Sequence, residues 1–388
     1  MASKPHFQAI LFLLSLSCLS LESYSLNLER EADYHKWISW HVNNFRKKTS
    51  LEAESTTRAP PGGIGSKLVL DTKLRNAEMN KVTINVSQDG AGNFKTIREA
   101  IGSIPLHNTR RVIVFIKPGV YREKIAVPRT LPFVTFIGES SGSDQPTITG
   151  NDTASVTGID GRPLKTFQSA TVAIDANYFV AVNMKFENTA AHEDGFAGGQ
   201  AVALRISGTK AAFYNCSFMV LKTPFMITRA FTISIIASSK ARLISFLAMA
   251  SPFMRSNCNL NSIGKKVTSV TAQKRTNATL ESGFSFKDSK VTGTRSGGGG
   301  VYLGRAWGDY SRVVFSYSYL DTIVLPQGWS DWGDPTRHSR VYYGEYKCSG
   351  PGANFTGRVP WARVLTDEEA QPFLGTYYIS GDAWLIRP

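Results

Sequence analysis

The stretch Tyr178–Asn188 (YFVAVNMKFEN) indicates the fold class of this chain. Val182, Met184 and Phe186 alternate with polar residues, and a period of two residues is the pattern of a β-strand. Asparagine ends the stretch, and Asn215 stands near the end of the next apolar run. Polar side chains of this kind stack at the corners between successive coils of a parallel β-helix. The stretch therefore predicts an all-β protein.

Similar short runs of β-branched and aromatic residues recur from Val82 onward, separated by Gly, Asn and Asp turns. Many short strands with few hairpin signals fit a solenoid or a sandwich, and the asparagines favour the solenoid. One helix is predicted, over Ile97–Ile104 after Thr96. The further predicted strands are residues 111–116, 133–137, 171–174, 211–218, 266–272, 300–303 and 312–316.

The charge of the chain favours a polyanionic partner. The 388 residues contain 44 Lys and Arg against 30 Asp and Glu, a formal net charge of +14. The summed field of such a surplus concentrates ligands of opposite charge. Nucleic acid, anionic lipid and an acidic polysaccharide are the candidates, and charge alone does not choose between them.

The first residues predict export. An apolar run over Ala9–Leu21 follows Lys4 and is too short to span a bilayer, so residues 1–25 are interpreted as a signal peptide. Residues 26–80 are interpreted as a polar arm and linker, and residues 81–388 as one β-helix domain. Three cysteines remain in the mature chain, an odd number. Five N-x-S/T triplets fit a secreted glycoprotein, at Asn85, Asn151, Asn215, Asn277 and Asn354.

Four motifs in a fixed order carry a resemblance to a known family: Lys117–Glu123 (KPGVYRE), Gln200–Arg205 (QAVALR), Tyr302–Gly308 (YLGRAWG) and Gly328–Gly333 (GWSDWG). Together they resemble the plant pectin methylesterases, in the short form without an inhibitor-like pro-domain. The resemblance implies a right-handed parallel β-helix of the pectin-lyase type. It also implies a secreted cell-wall enzyme that de-esterifies methylated homogalacturonan to pectate and methanol.

The resemblance assigns roles to three residues. Gln200 is expected at the cleft, where it binds substrate or donates to the oxyanion of the tetrahedral intermediate. Arg305 is expected to orient an ionised nucleophilic carboxylate, and Trp307 to support a sugar ring. Tyr121 and Glu123 of the first motif are interpreted as structural. No cofactor, metal site, nucleic acid or membrane span is expected; pectin is the expected partner, a proteinaceous inhibitor a further one, and the chain is expected to be a monomer.

One block departs from the family. The family carries its two catalytic aspartates in the segments QDTLY and GTVDFIFGN, which should lie between Phe218 and Asn257. Neither segment is present, and Val220–Ser256 contains no Asp, Glu, Gly, Asn or Tyr in 37 residues. Since Pro224 and Pro252 cannot donate to a β-ladder, the block is also predicted to form strands poorly and to destabilise the solenoid.

A shift of reading frame restores both segments. Codons permitted for Ser239–Met249 (SKARLISFLAM), read one nucleotide earlier, spell IQGTVDFIFGN, and those for Leu221–Met226 (LKTPFM) spell SQDTLY in the same frame. The hypothesis is a pair of compensating frameshifts, or a misplaced exon boundary, near Met219 and Ser256. The alternatives are a catalytically inactive pectin binder and a β-helical glycosidase or lyase; the last needs an acidic pair or Ca²⁺ carboxylates, which the sequence does not place.

Overall fold

The computed structural model describes residues 71–139, 145–190, 198–220, 223–227, 233–236, 241–242, 246–248, 252–256, 259–264, 267–277, 280, 282–295, 300–374 and 384–385. The predicted signal peptide and most of the predicted arm lie outside these residues, as does Cys258. Among the described residues, no helix is long and apolar enough to cross a membrane.

Strands dominate the described residues, and helices are short. The helices are α1 Thr72–Met79, α2 Ile97–Gly102, α3 Lys165–Gln168 and α4 Asp367–Leu374, with 3₁₀ turns at Pro335–Arg337, Pro351–Ala353 and Phe355–Gly357. The strands are β1 Val82–Val86, β2 Val112–Ile116, β3 Val120–Arg122, β4 Ile125–Val127, β5 Val134–Gly138, β6 Thr147–Gly150, β7 Val172–Ile174, β8 Val180–Val182, β9 Lys185–Asn188, β10 Val202–Ile206, β11 Ala211–Tyr214, β12 Ser217–Val220, β13 Thr223–Ile227, β14 Ile233–Ile236, β15 Ala241–Arg242, β16 Phe246–Ala248, β17 Pro252–Ser256, β18 Asn259–Gly264, β19 Thr268–Ser269, β20 Thr271–Gln273, β21 Gly283–Lys287, β22 Lys290–Arg295, β23 Val301–Tyr302, β24 Gly304–Ala306, β25 Arg312–Ser316, β26 Tyr319–Leu320, β27 Trp329–Ser330, β28 Tyr342–Tyr346 and β29 Arg363–Val364.

The strands wind into a parallel β-helix with three faces, as predicted. Sheet 1 runs β1-β2-β5-β8-β11-β14-β17-β21-β25-β28-β29, and sheet 2 runs β27-β24-β20-β16-β13-β10-β7-β4. Sheet 3 consists of two pieces, β12-β9-β6-β3 and β15-β18-β22-β26. One coil shows the path: β8 in sheet 1 leads to β9 in sheet 3 and β10 in sheet 2, and β11 then returns to sheet 1.

Two predicted strands are each divided by an asparagine. Residues 178–186 form β8 and β9, and residues 211–218 fall in β11 and β12, because Asn183 and Asn215 adopt φ angles of 56° and 49°. Asn tolerates this left-handed region better than most residues. The two side chains stack on consecutive coils, where the Asn215 Nδ2 donates to the Asn183 Oδ1 over 3.0 Å. The single predicted strands were wrong. Asn215 stacks at a corner as predicted, but its partner is Asn183, whereas Asn188 donates to the backbone carbonyls of Asp152 and Val202.

An aromatic column fills the N-terminal half of the solenoid. Phe136, Phe179, Phe186, Phe213 and Phe218 are almost fully buried. The ring centroids of neighbouring members lie 5.1 to 6.2 Å apart, within the range of favourable aromatic pairs. Because each coil contributes a ring to the column, the coils are held in fixed register.

Helix α2 packs against β1, β2 and β4 at the N-terminal end of the solenoid, and helix α1 packs against Phe133, Ala212 and Tyr214. Helix α2 begins with a capping box between Thr96 and Glu99, and Glu123 accepts from the backbone N–H groups of Ile97 and Arg98. It ends two residues earlier than predicted. Helix α1 lies within the residues predicted as arm and linker, yet its Glu78 forms a buried ion pair of 2.7 Å with Arg111. Helices α3 and α4 were not predicted.

The anomalous block forms strands, contrary to the prediction from its prolines. Strands β13 to β17 all lie within it. The ladder between β10 and β13 pairs Val202 with Thr223 and Leu204 with Phe225, and so passes over Pro224. Pro252 is the first residue of β17. The first residue of a strand accommodates proline, whereas Pro224 lies inside β13, which is paired on both sides.

Candidate active site

One row of sheet 2 contains two arginines. Arg305 on β24 pairs with Ala272 on β20, and this row continues through Leu247 and Met226 to Arg205 on β10. Parallel neighbours lie about 4.8 Å apart, so the two arginines are roughly 19 Å apart along the row. The rungs between them carry only uncharged residues.

Arg305 has no carboxylate partner among the described residues. It is half-buried, and its Nε is buried without a hydrogen-bond partner. Burial lowers the pKa of Arg305 because the charged form loses solvation. A partly desolvated cation without a counter-charge is unfavourable, since buried charges are normally paired. The position therefore suits a site from which an anionic group is missing.

Trp332 covers the Arg305 guanidinium instead. The Arg305 Cζ lies 4.1 Å from the centroid of the Trp332 ring, and this ring is 47% exposed. A cation over an indole face is a favourable contact. Trp332 belongs to the GWSDWG motif, but its role was not predicted from the sequence. The other tryptophan of that motif, Trp329, is buried and donates from Nε1 to Glu345.

Trp307 lies next to Arg305, as the shared motif requires. It is half-buried, its backbone N–H donates to the Arg305 carbonyl over 3.1 Å, and the Lys274 Nζ lies 5.0 Å from its ring centroid. Two indole rings and two cations thus occupy this end of sheet 2. Such a surface can pack against sugar rings and attract an acidic polymer.

Gln200 lies at a different part of sheet 2. It is exposed and precedes β10, which β13, β16 and β20 separate from β24. Its carbonyl accepts from the Ala154 N–H over 2.7 Å. In the described part of the chain, no hydrogen bond joins Gln200 to Arg305 or Trp307. The structure therefore places two of the three predicted residues together and the third in the segment before β10.

The carboxylates closest in sequence to the arginine motif are already engaged. The Asp309 Oδ1 accepts from the Arg337 Nε over 3.1 Å, and the Asp331 Oδ2 lies 2.9 Å from the His338 Nε2. Burial alone would raise the pKa of Asp331, but the contact with His338 and the backbone N–H of Gly333 together lower this pKa. Neither carboxylate forms an ion pair with Arg305.

Tyr121 and Glu123 are structural, as interpreted. Tyr121 is buried and its hydroxyl donates to the Lys117 carbonyl, while Glu123 caps helix α2. Within the described ranges, no group of three or more His, Cys, Asp or Glu residues is arranged to hold a metal ion.

Comparison with known proteins agrees with this fold and these motifs. The sequence profile of the Pectinesterase family matches residues 83–382. Over 368 residues, 95% of this chain and 94% of the relative, the sequence is 39% identical to Pectinesterase QRT1 of Arabidopsis thaliana. A second Arabidopsis relative, Putative pectinesterase 11, is 38% identical over 312 residues, 79% of this chain and 81% of that protein.

Solved structures with the same fold include two pectin methylesterases. The enzyme from carrot superimposes with a TM-score of 0.65 at 30% identity, covering 78% of this chain and 94% of that one. The enzyme PemA from Erwinia chrysanthemi superimposes with a TM-score of 0.63 at 23% identity, covering 76% and 96%, and supports the fold alone.

Proposed function

The chain belongs to the pectinesterase family, and we propose that Gln200, Arg305 and Trp307 belong to its pectin-binding surface, with Arg305 at the reacting position. The reaction of the family is hydrolysis of the methyl esters of homogalacturonan to pectate and methanol. The main support for this proposal is that the Arg305 guanidinium has no carboxylate partner among the described residues. It marks the place where an anionic nucleophile belongs.

The chemistry needs two carboxylates beside Arg305. One attacks the ester carbonyl, and the other protonates the departing methoxide and then activates water. Arg305 would hold the nucleophile ionised, because a neighbouring cation lowers the pKa of a carboxyl group. Gln200 would donate to the oxyanion, and Trp307 would support the sugar ring. In this sequence, the strands of sheet 2 that share the row of Arg305 carry neither carboxylate.

The coil spacing of the structure supports the frameshift hypothesis. In the shifted frame, the aspartate codons overlap those of Thr223 and Ile244, 21 residues apart. Strands β13 and β16 pair Phe225 with Phe246 and Met226 with Leu247, so one coil also advances 21 residues there. Two residues one coil apart occupy adjacent rungs about 4.8 Å apart. The shifted reading would therefore place its two aspartates side by side.

Secretion to the cell wall belongs to the same proposal. Pectate is polyanionic, and the net charge of +14 favours such a polymer. We infer a monomeric glycoprotein of the wall, with a proteinaceous pectinesterase inhibitor as a further partner.

The decisive experiment combines the transcript sequence with two expressed proteins. One protein has the sequence as it stands, and the other carries the shifted-frame translation over the block Val220–Ser256. Methanol release from methylated pectin is expected only from the second. A matched control replaces the restored aspartate at position 244 by asparagine and is expected to abolish release.

Two results would overturn the proposal. One is a transcript that specifies the present residues together with methanol release by the present chain at the rate of the restored one. The other is a folded, restored chain that neither releases methanol nor binds pectin. Pectin binding without turnover by the present chain would instead identify it as the inactive binder.

A further inference from the structure

The five N-x-S/T triplets of the sequence lie in different surroundings, and these surroundings distinguish them as attachment sites for a glycan. An N-linked glycan is bulky and hydrophilic, and its acceptor asparagine belongs in a surface loop. A suitable asparagine is therefore exposed, has a side-chain nitrogen that makes no contact needed by the fold, and lies clear of the pectin-binding surface.

The triplet at Asn215 is part of the corner between coils. The Asn215 Nδ2 donates to the Asn183 Oδ1 over 3.0 Å, and the Gln145 Nε2 donates to the Asn215 carbonyl. The Ser217 Oγ donates to the Gln145 Oε1 over 2.6 Å, and Cys216 between them in the triplet is fully buried. A sugar on the Asn215 Nδ2 would crowd this contact between consecutive coils, so the folded chain does not accommodate a glycan there.

The triplet at Asn85 lies in a strand rather than in a loop. Asn85 belongs to β1 and pairs with Phe115 of β2. The two residues that complete the triplet, Val86 and Ser87, are 0% and 2% exposed. Only the first residue of this triplet is therefore on the surface.

The triplets at Asn151 and Asn277 lie beside the proposed pectin-binding surface. Asn151 is followed directly by Asp152, which lines a cavity over β4, β7 and β10 of sheet 2. Asn277 comes soon after Lys274, whose Nζ lies 5.0 Å from the centroid of the Trp307 ring. Both asparagines are exposed, but a glycan on either would obstruct the approach of a polymer to sheet 2.

The triplet at Asn354 meets all three conditions. Asn354 and Thr356 are exposed, and Asn354 lies in the turn between the 3₁₀ segments Pro351–Ala353 and Phe355–Gly357. The Asn354 Oδ1 accepts from the Thr356 N–H over 3.0 Å, while its Nδ2 makes no hydrogen bond to any described residue. Because an N-linked sugar bonds to the nitrogen and leaves the oxygen in place, the turn can persist under the glycan.

Asn354 also lies where the solenoid ends. Strands β26 and β27 are the last strands of sheets 3 and 2 in the described part of the chain, and Gly352 packs on the backbone of Asp321 between them. An unpaired strand edge is a template for association with another chain, and the terminal coil of a solenoid needs a polar covering. A hydrophilic glycan at Asn354 would supply part of that covering.

We propose that Asn354 carries an N-linked glycan and that Asn215 remains unmodified. The Asn354 Nδ2 forms a bond to the anomeric carbon of the first sugar of a lipid pyrophosphate-linked oligosaccharide. The bond from that carbon to the phosphate oxygen breaks, the lipid pyrophosphate leaves with the electron pair, and the nitrogen loses one proton. This proposal rests on the proposed secretion of the protein, because such donors are used in the secretory pathway.

The test locates glycans on the full chain expressed in cultured plant cells. The present chain and the chain with the shifted-frame block each carry a C-terminal affinity tag, and secreted and retained protein are purified together under denaturing conditions. A folding defect therefore does not remove the triplets from view. Peptide N-glycosidase A in H₂¹⁸O converts each glycan-bearing Asn to ¹⁸O-labelled Asp, and mass spectrometry of the peptides locates the label. We expect label at Asn354 and none at Asn215 in both chains.

Matched variants test the triplet itself. Asn354→Gln and Thr356→Ala are each expected to lose the mass of one glycan on a denaturing gel. Thr356→Ser keeps the triplet and is expected to retain that mass, which separates loss of the acceptor from a general effect of changing this turn. Asn215→Gln is expected to leave the mass unchanged.

The outcomes separate this site from the proposed function. Label at other triplets without label at Asn354, or label at Asn215, would overturn this assignment and leave the proposed secretion intact. A chain without label at any of the five triplets would overturn the proposed secretion and this site with it.

Discussion

Arg205 and Arg305 occupy the same row of sheet 2, yet their surroundings differ. Arg205 is held by both oxygens of Asp175 and covered by Phe167, whereas Arg305 has an indole ring over it and no carboxylate within the described residues. Asp175 lies just after β7, outside the anomalous block. The strands that should serve Arg305 lie inside the block.

The difference shows that a parallel β-helix confines the effect of an anomalous block to the coils next to it. Each coil contacts only its neighbours, so the coils before and after the block keep their registers and their polar networks. The charge of Arg305, on a coil after the block, loses its partner more easily, because that partner is a single carboxylate at one position of the block. The following predictions test this contrast between a paired and an unpaired arginine.

The largest effect is expected in the chain that carries the shifted-frame block. There, Arg305→Met should lower kcat for pectin about 100-fold, equivalent to about 2.7 kcal/mol, because the nucleophile loses the cation that keeps it ionised. Methanol release measures this effect. The control Lys73→Met removes the same charge from exposed helix α1 and should change kcat less than about twofold. If the two variants behave alike, Arg305 is not at the reacting position.

A smaller effect is expected on the stability of the present chain. Asp175→Asn should lower the free energy of unfolding by about 1–2 kcal/mol, since it leaves buried Arg205 without its counter-charge. This figure is discounted because the Asp175 side chain is 35% exposed. Arg305→Met should change stability by less than about 0.5 kcal/mol, because it breaks no ion pair. Urea unfolding followed by circular dichroism compares them, and the reverse ranking would contradict the contrast.

The smallest effect is a pH dependence specific to Asp175. Burial alone would raise the pKa of this carboxyl, but the hydrogen bonds and charge of Arg205, together with Ser207 and the charge of Arg129, hold the pKa below its ordinary value. A lowered folded-state pKa stabilises the protein above the unfolded-state pKa of about 3.9, and this contribution is lost as the pH falls. The stability gap between the unmodified chain and Asp175→Asn should therefore narrow by less than about 1 kcal/mol from pH 6 to pH 3. Unfolding curves at several pH values measure the gap, and a gap that widens toward low pH would refute the assignment.

Much of the fold could be read from local pattern. The strand over Arg312–Ser316 has the predicted bounds, and the corner asparagines gave the solenoid, because strand alternation and corner stacking are both local features. The division of residues 178–186 into two strands could not be predicted. Asn183 has a left-handed backbone conformation, but the alternation of apolar and polar side chains around it keeps its period of two residues. Helix α1 was assigned to the arm because its buried contact partners, Arg111 among them, are distant in sequence.

The sequence by itself determined the family, the candidate residues Gln200, Arg305 and Trp307, and the absence of carboxylates from Val220–Ser256, because residue identity and motif order suffice for these. Only the tertiary structure decided that Arg205 and Arg305 share a row, and that Phe167 covers Arg205 while Trp332 covers Arg305. The physical reason is that coil register and packing bring together side chains more than a hundred residues apart in the sequence. No local sequence pattern predicts which of these distant side chains will come into contact.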